Sequence, residues 1–586
     1  MRNRRLVVSA AIVAAAVGLV PGTASAVSVS GATTSGAKAS GVKASGAKAS
    51  GAARDAVRKV KGRTFSSPAE RTVTTAPSGA AAKGSARAQQ APDAATAADQ
   101  RLRVALNAYA EGVDTFNLET IVSSQEYALV DVVIAWGDGT TDTYNASVMP
   151  RDFDLHRTTH QYAAIGSYEI KVTVKDPATG GEAANSLTVA TEGTEFTAHE
   201  PKRLLDTREG IGAARAKVGA RSSVALKVAG AGKVPAGVRS VVLNLTVTNT
   251  TAPGHVSAAQ EKGLAENAQT SVLNYVAGQS VPNLVIVPVG EDGYVHLFNA
   301  GWAPVDLLAD VTGYFTASKA AGYGALAPTR IVDTREGQGT AKGQVPGYGS
   351  FDIGIAGRAG VPAGATAVAL NLTVTNPRSA GHLTAYPAGK PAPTTSNVNF
   401  TAGQTVANAV IVPVGADGKI TIRNGGWNPA DVVVDVVGSY SPQNRSALVV
   451  PRVPFRILDT RVNGSWNDRP AFPLAPRSYE WLGLEGDTST PEVDAWALNT
   501  TVTNTHGDGF LSVAPDPNFW VDYVRGGERK PQRPVSSALN WTAGATVPNL
   551  VQTPGGKGGM VDFWNQGWSS VDLVVDLTGF YETPGA

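Results

Sequence analysis

The chain has 586 residues, a formal net charge of +2 and no cysteine. That length exceeds what one hydrophobic core sustains, so several domains are expected. Near-neutrality gives no whole-chain pull toward nucleic acid or an anionic membrane, and the lack of cysteine excludes disulfide frameworks, thiol catalysis and cysteine-ligated metal. With 64 glycines, 35 prolines and many Val/Thr runs, strands and turns are expected throughout: an all-β chain.

Residues 1–26 carry the pattern of a cleaved signal peptide. Arg2, Arg4 and Arg5 precede the apolar stretch Leu6 to Val20, and Ala24-Ser25-Ala26 supplies the small-residue cleavage site. The stretch is short for a membrane span and is followed by Pro21, so no span is expected in the mature chain. Residues 27–100 are low in complexity, with a repeated Ser-Gly-Xaa-Lys-Ala unit, and predict a disordered tether.

Residues 101–192 change character. The run Val130 to Ala135 enters the turn Trp136-Gly137-Asp138-Gly139-Thr140. His160-Gln161-Tyr162, Gly166-Ser167-Tyr168 and the alternating strand Glu169 to Asp176 follow. These motifs resemble the PKD domain, an immunoglobulin-like β-sandwich. The resemblance implies a spacer or contact module rather than an enzyme, with Trp136 in the core.

The remainder is a threefold repeat. Arg203-Leu204-Leu205-Asp206-Thr207-Arg208 returns as Arg330 to Arg335 and Arg456 to Arg461, at periods of 127 and 126 residues. Leu243-Asn244-Leu245-Thr246-Val247-Thr248-Asn249 returns at Leu370 to Asn376 and, with one change, at Leu498 to Asn504. Ser271, Asn274, Ala277-Gly278 and Asn283 have counterparts in both later copies, and each copy closes on Asn-x-Gly-Trp. A period of this size is a whole domain. Alternation in the Leu-Asn-Leu-Thr-Val-Thr runs predicts half-buried antiparallel strands, and the turn spacing predicts a sandwich or jelly roll for each of 195–317, 322–442 and 447–582, in tandem. The copies resemble a module recurrent in secreted actinobacterial proteins, which implies export and no settled activity.

No Gly-x-Ser-x-Gly elbow and no His-Glu-x-x-His is present, and neither a catalytic site, a cofactor nor a metal is expected. His255 and His382 share one repeat position, but Phe510 stands there in the third copy, so packing explains them better than ligation. Arg203, Asp206 and Arg208 (with Arg330, Asp333, Arg335 and Arg456, Asp459, Arg461) read as a structural ion-pair motif; recognition of an anionic ligand by the arginines is the sharper alternative. On a regular strand Asp206 and Arg208 would share a face opposite Arg203. Asp306/Asp310, Asp431/Asp435 and Asp572/Asp576 lie four apart, about 13 Å along a strand, too far for joint catalysis. A bond to backbone or to the repeated arginine suits them better, with a calcium site as the alternative.

Trp302, Trp427 and Trp568 follow Asn-x-Gly at expected hairpin tips, where glycine would supply a positive φ. A ring held out there would suit sugar stacking or protein contact, while a ring folded back would seal the sandwich edge; the two readings are balanced. The third copy holds seven of the ten tryptophans and a loop between Pro515 and Ser537 that is 13 residues longer than its counterpart Pro387 to Ser396. Trp520, Tyr523 and Arg525 on that loop are further candidate ligand-binding residues, against the alternative of an edge-covering loop. The expected function is a secreted, non-catalytic protein that binds cell-wall or extracellular polysaccharide. A scaffold for other secreted proteins is the second reading, a glycan hydrolase the third. A glycan or cell-surface component is the expected partner, not nucleic acid.

Overall fold

A computed structural model describes residues 63–67, 73–75, 102–111, 113–464, 470–484 and 493–583. The signal segment, Trp466 and most of the tether lie outside these residues. No helix among the described residues is long and apolar enough to cross a membrane. The chain is all-β, with only two short α-helices, Lys262–Glu266 and Trp520–Arg525, in the described part.

Residues 102–190 form a two-sheet sandwich. One sheet orders Thr64–Ser66, Leu102–Ala110, Thr115–Ser124 and Phe153–Gln161; the other orders Val73–Thr75, Glu182–Ala190, Ser167–Lys175, Ala128–Ala135 and Thr141–Val148. Alternation of buried with exposed or half-buried residues along Leu102–Ala110 and Ala128–Ala135 supplies the two inner faces. Trp136 is fully buried, donates through Nε1 to Asp142 at 2.9 Å and stacks on His160 at 4.3 Å. The tether reading fails at two points. Thr64–Ser66 pairs with Asn107–Tyr109 and Val73–Thr75 with Glu182–Ala184. Thr-Phe-Ser and Val-Thr-Thr are good strand formers inside polar sequence, and Phe65 packs edge-on against Phe116 at 5.8 Å.

Each repeat is a sandwich of two antiparallel sheets. In the first copy the inner sheet orders Glu195–Asp206, Asp306–Thr316, Val238–Thr248 and Val281–Pro288; the outer sheet orders Ser222–Lys227, Tyr294–Asn299, Gly254–Ala259 and Leu273–Tyr275. The second copy repeats this order, and so does the third, where the first inner strand is split into Ala447–Val449 and Phe455–Asp459. Each copy has its own apolar core, filled in the first by Leu205, Leu243, Leu245, Val256 and Leu297 among others.

The inner strands are not half-buried. Every residue from Ser240 to Val247, and from Ala367 to Thr375, is buried. The reason is a second core, shared by all three copies: Phe196, Val242, Ile286 and Phe315 of the first meet Tyr323, Ala369, Ile411 and Tyr440 of the second and Leu448, Ala497, Leu550 and Tyr581 of the third. The outward faces of the inner sheets therefore pack on one another around a common axis, and both faces of each sheet lose water.

The polar positions of the repeated strand motif form the seams. Asn499 donates to the Ser271 carbonyl at 2.6 Å, Asn244 to the Ser396 carbonyl at 2.5 Å, and Asn371 to the Ser537 carbonyl. A second set runs Asn408 to Asn244 at 3.0 Å, Asn549 to Asn371 at 3.1 Å and Asn283 to Asn499 at 3.2 Å. First binds second, second binds third, third binds first. Tandem in sequence, the modules thus close into a ring of approximate threefold order. The Ser and Asn residues repeated in each copy are its seam. Near the axis, Gln552 takes the place of Ile286 and Ile411 and donates to the hydroxyls of Tyr440 and Tyr581 at 2.9 and 2.7 Å. Those hydroxyls lie 2.7 Å apart, and without such partners they would be buried polar groups at a cost.

Candidate functional site

The Arg/Asp motif is an internal brace. Arg203 donates from Nε and Nη2 to the two oxygens of Asp310, at 2.8 and 3.0 Å, and from Nη1 to Asp206 at 2.9 Å. Arg208 forks onto the same Asp206 at 2.9 and 2.7 Å. Asp206 and Asp310 are each 1% exposed. A register shift between Arg203 and Leu205 breaks the strand alternation, so Arg203 and Asp206 meet instead of facing apart. Hydrogen bonding from Arg208 holds the Asp206 carboxyl at about 2, whereas burial raises that of Asp310 against the pull of Arg203. Arg330 with Asp435, Asp333 and Arg335 repeats the arrangement, as does Arg456 with Asp576, Asp459 and Arg461. The other aspartate of each pair is occupied too. Asp306 accepts from Thr207 at 2.8 Å and from Asn249 at 2.7 Å, and Asp431 and Asp572 take the same two partners in their copies.

The three hairpin tryptophans stand out in solvent. Trp302, Trp427 and Trp568 are 82%, 79% and 80% exposed, in a chain whose other described tryptophans are largely withdrawn from water. Each sits on a rigid support. Asn299 is fully buried; its side-chain amide donates to the carbonyls of Gly219 and Ala303 at 2.9 Å each, and its Oδ1 accepts from the Gly301 amide at 3.0 Å. Asn424 and Asn565 do the same beneath Trp427 and Trp568.

The glycine before each tryptophan serves a purpose other than a positive φ, which none of the three adopts. A Cβ on Gly301 would collide with the Tyr275 hydroxyl, and one on Gly254, opposite, would stand 2.8 Å from the Gly301 Cα. Two backbones approach there too closely for a side chain.

Beside each tip a non-glycine residue holds the left-handed region instead: Arg221 (φ 52°), Tyr348 (φ 60°) and Arg477 (φ 56°). Such residues are strained, and strain of this kind gathers at functional sites. The amide of each donates to the carbonyl of the tip glycine at 3.2 Å. The side chains flank the tryptophans: the Arg221 guanidinium carbon lies 5.7 Å from the Trp302 ring centre and that of Arg477 5.0 Å from Trp568, while Tyr348 meets Trp427 edge-on at 5.2 Å. Nothing in residue type marks this position in the sequence, since arginine and tyrosine alternate there.

Trp302 also borders an open cleft of about 620 Å³. Arg221, His255, Asn274 and Tyr275 line it from the first module, and Thr542 to Thr546 line it from the third. Burial, with Arg221 and Arg456 nearby, lowers the His255 pKa. The repeat alignment assigns this histidine to packing; the structure sets it in the cleft wall as well.

The long loop of the third module folds back on the outer sheet. Tyr523 stacks on Trp481 at 4.6 Å, and its hydroxyl donates to Asp516 at 2.6 Å. Trp520 is half-buried, its Nε1 sealed without a partner among the described residues, and of the loop's three candidates Arg525 alone is exposed. Tyr523 thus latches the loop, and the aromatic cluster lies beneath a cover.

Under the loop Asp562 is 1% exposed and neither carboxyl oxygen has a hydrogen-bond partner among the described residues. Burial, and then the neighbouring Asp516, push its pKa far above the usual carboxylate range. Folding therefore takes up a proton at neutral pH. The stabilising proton is free of cost below about pH 4, and stability is lost as pH rises from there toward the raised pKa. Asp562→Asn should leave stability at pH 4 nearly unchanged and raise it by on the order of 2 kcal/mol at pH 8. Paired denaturant melts at the two pH values measure this; equal effects at both would refute it.

No family model matches the sequence, and no curated protein matches it. Among solved structures, the chain overlays on carbohydrate-binding modules from the β-sandwich superfamily at 12% identity and a TM-score of 0.15, covering 38% of this chain and 98% of the other. It overlays on a SusE-like protein at 9% identity and a TM-score of 0.10, covering 34% and 93%. The sandwich assignment here rests on the strand pairings themselves.

Proposed function

We propose that this chain is an exported, non-catalytic glycan-binding protein in which a ring of three β-sandwich modules presents three tryptophans to a polysaccharide of the cell wall or extracellular matrix. The N-terminal sandwich, PKD-like in its motifs, serves as the spacer. One observation carries the reading: three tryptophans about 80% exposed, each at the same position of its module, each held by a buried asparagine. An indole left in water costs free energy and gains nothing for the fold. Fixed on a braced turn, it offers a flat apolar face with little entropy left to lose on binding, which suits the apolar faces of pyranose rings. A non-catalytic role is supported by the occupation of the repeated carboxylates, each bonded to arginine, threonine or asparagine of its own module.

Three equivalent sites on one body would add by avidity on a polymer. Sedimentation with insoluble wall glycans should retain the parent chain, while Trp302→Ala/Trp427→Ala/Trp568→Ala should lose at least about tenfold in retention with an unchanged melting temperature. Equal retention of parent and triple variant would refute the reading. So would a retained partner that resists glycan competition, which would indicate a protein-binding scaffold instead.

A further inference from the structure

The three tryptophan tips are alike in backbone and differ in the side chain that flanks the ring. Arg221 and Arg477 stand beside Trp302 and Trp568, and Tyr348 beside Trp427. Both arginines hold their place by one bond each to a backbone carbonyl, Arg221 Nη1 to Ala300 at 3.2 Å and Arg477 Nη1 to Gln566 at 2.7 Å. Neither makes an ion pair among the described residues, whereas the arginines of the brace, Arg203, Arg330 and Arg456, are each committed to two carboxylates. The cleft beside Trp302 is lined by no aspartate or glutamate at all. Its cationic fork, exposed indole and walls from two modules therefore form one recess with no carboxylate in its lining, the nearby Asp508 being bound by the Ala543 amide at 3.1 Å.

Resting on the glycan reading above, we infer that the Trp302 and Trp568 tips take acidic sugars, the ring stacking on the indole and the anionic group meeting the guanidinium fork, while the Trp427 tip takes neutral ones. At Trp302 the sugar sits across the seam between the first and third modules, so this site exists only in the closed ring. A guanidinium matches a carboxylate in shape and offers two parallel donors, and a fork already placed beside an aromatic plate loses little freedom on binding. Tyr348 can give one hydroxyl bond and no charge.

Polygalacturonate and alginate, each paired with its carboxyl-reduced form, test this with the full-length protein. Affinity for the acidic polymers should exceed that for the reduced ones by at least about tenfold, and the excess should shrink as salt rises. Arg221→Gln/Arg477→Gln should abolish the preference, bringing affinity for the acidic polymers down to that for the reduced ones; Arg221 is exposed and Arg477 half-buried, and an unchanged melting temperature reports that the fold is intact. Trp427→Ala should weaken the reduced polymers more than the acidic ones. Equal binding of acidic and reduced polymers, or a preference that survives loss of both arginines, overturns the acidic-sugar inference and leaves the glycan reading standing. Binding of none of the four overturns both.

Discussion

Replacing Arg330 with methionine should lower stability by about 3–5 kcal/mol, a loss on the order of 10 °C in melting temperature. Arg330 forks onto Asp435 at 3.0 and 3.3 Å, approaches Asp333 at 3.6 Å and donates to the Val535 carbonyl of the third module at 3.1 Å. Asp435 has no exposure, and burial already raises its pKa although Arg330 is present. Without the guanidinium it must either stay charged in an apolar site or take up a proton on folding. A group whose folded pKa is raised adds stability below its unfolded value and loses it as pH rises, so the deficit of the variant should widen from pH 4 to pH 8. Arg330→Met/Asp435→Leu removes both charges and should recover at least half of the loss. Denaturant melts at two pH values, run on parent, single and double variants, measure all of this. A double variant no better than the single would mean that the brace is not an ion pair in any useful sense.

What could be read from the sequence, and what could not, follows from which partner each residue meets. Period, strand content and the pairing of Arg203 with Asp310 are legible because they depend on residues of one module and on antiparallel geometry. The ring is not legible in the same way. In Leu243-Asn244-Leu245-Thr246 the polar positions read as a solvent face, and a single module offers Asn244 no partner but water. Its partner, the Ser396 carbonyl, lies 152 residues away in the next copy. A signal was present. The positions that face the axis hold Val242, Ala369 and Ala497, and no charge, where an exposed strand face would be expected to carry Lys or Glu.

The tryptophan tips show the converse. Their exposure was an open question because an indole at a hairpin tip either projects or folds back, and the outcome depends on Asn299, Asn424 and Asn565 pinning the turn from beneath. In the third module the long loop carries aromatic and basic residues as a binding loop would. Tyr523 turns inward because Trp481 and Asp516, from other strands, offer its ring and hydroxyl better partners than water does.

Closure has a further consequence for how the modules share stability. The central core takes Phe196 and Ile286 from the first copy, Tyr323 and Tyr440 from the second, and Leu448, Leu550 and Tyr581 from the third, all buried. Removing residues 447–583 would bare most of that core and leave Asn283 and Asn371 short of partners. At about 1.5–3 kcal/mol for each large apolar side chain returned to water, the loss exceeds 10 kcal/mol and rivals the whole stability of an ordinary domain.

Scanning calorimetry of residues 195–583 beside fragments 195–317 and 195–442 is therefore the most direct test of the ring. One cooperative transition is expected for the three-module chain, with fragments that melt at least about 15 °C lower, aggregate or fail to fold. A lone 195–317 module that melts cooperatively at the temperature of the full ring would contradict it.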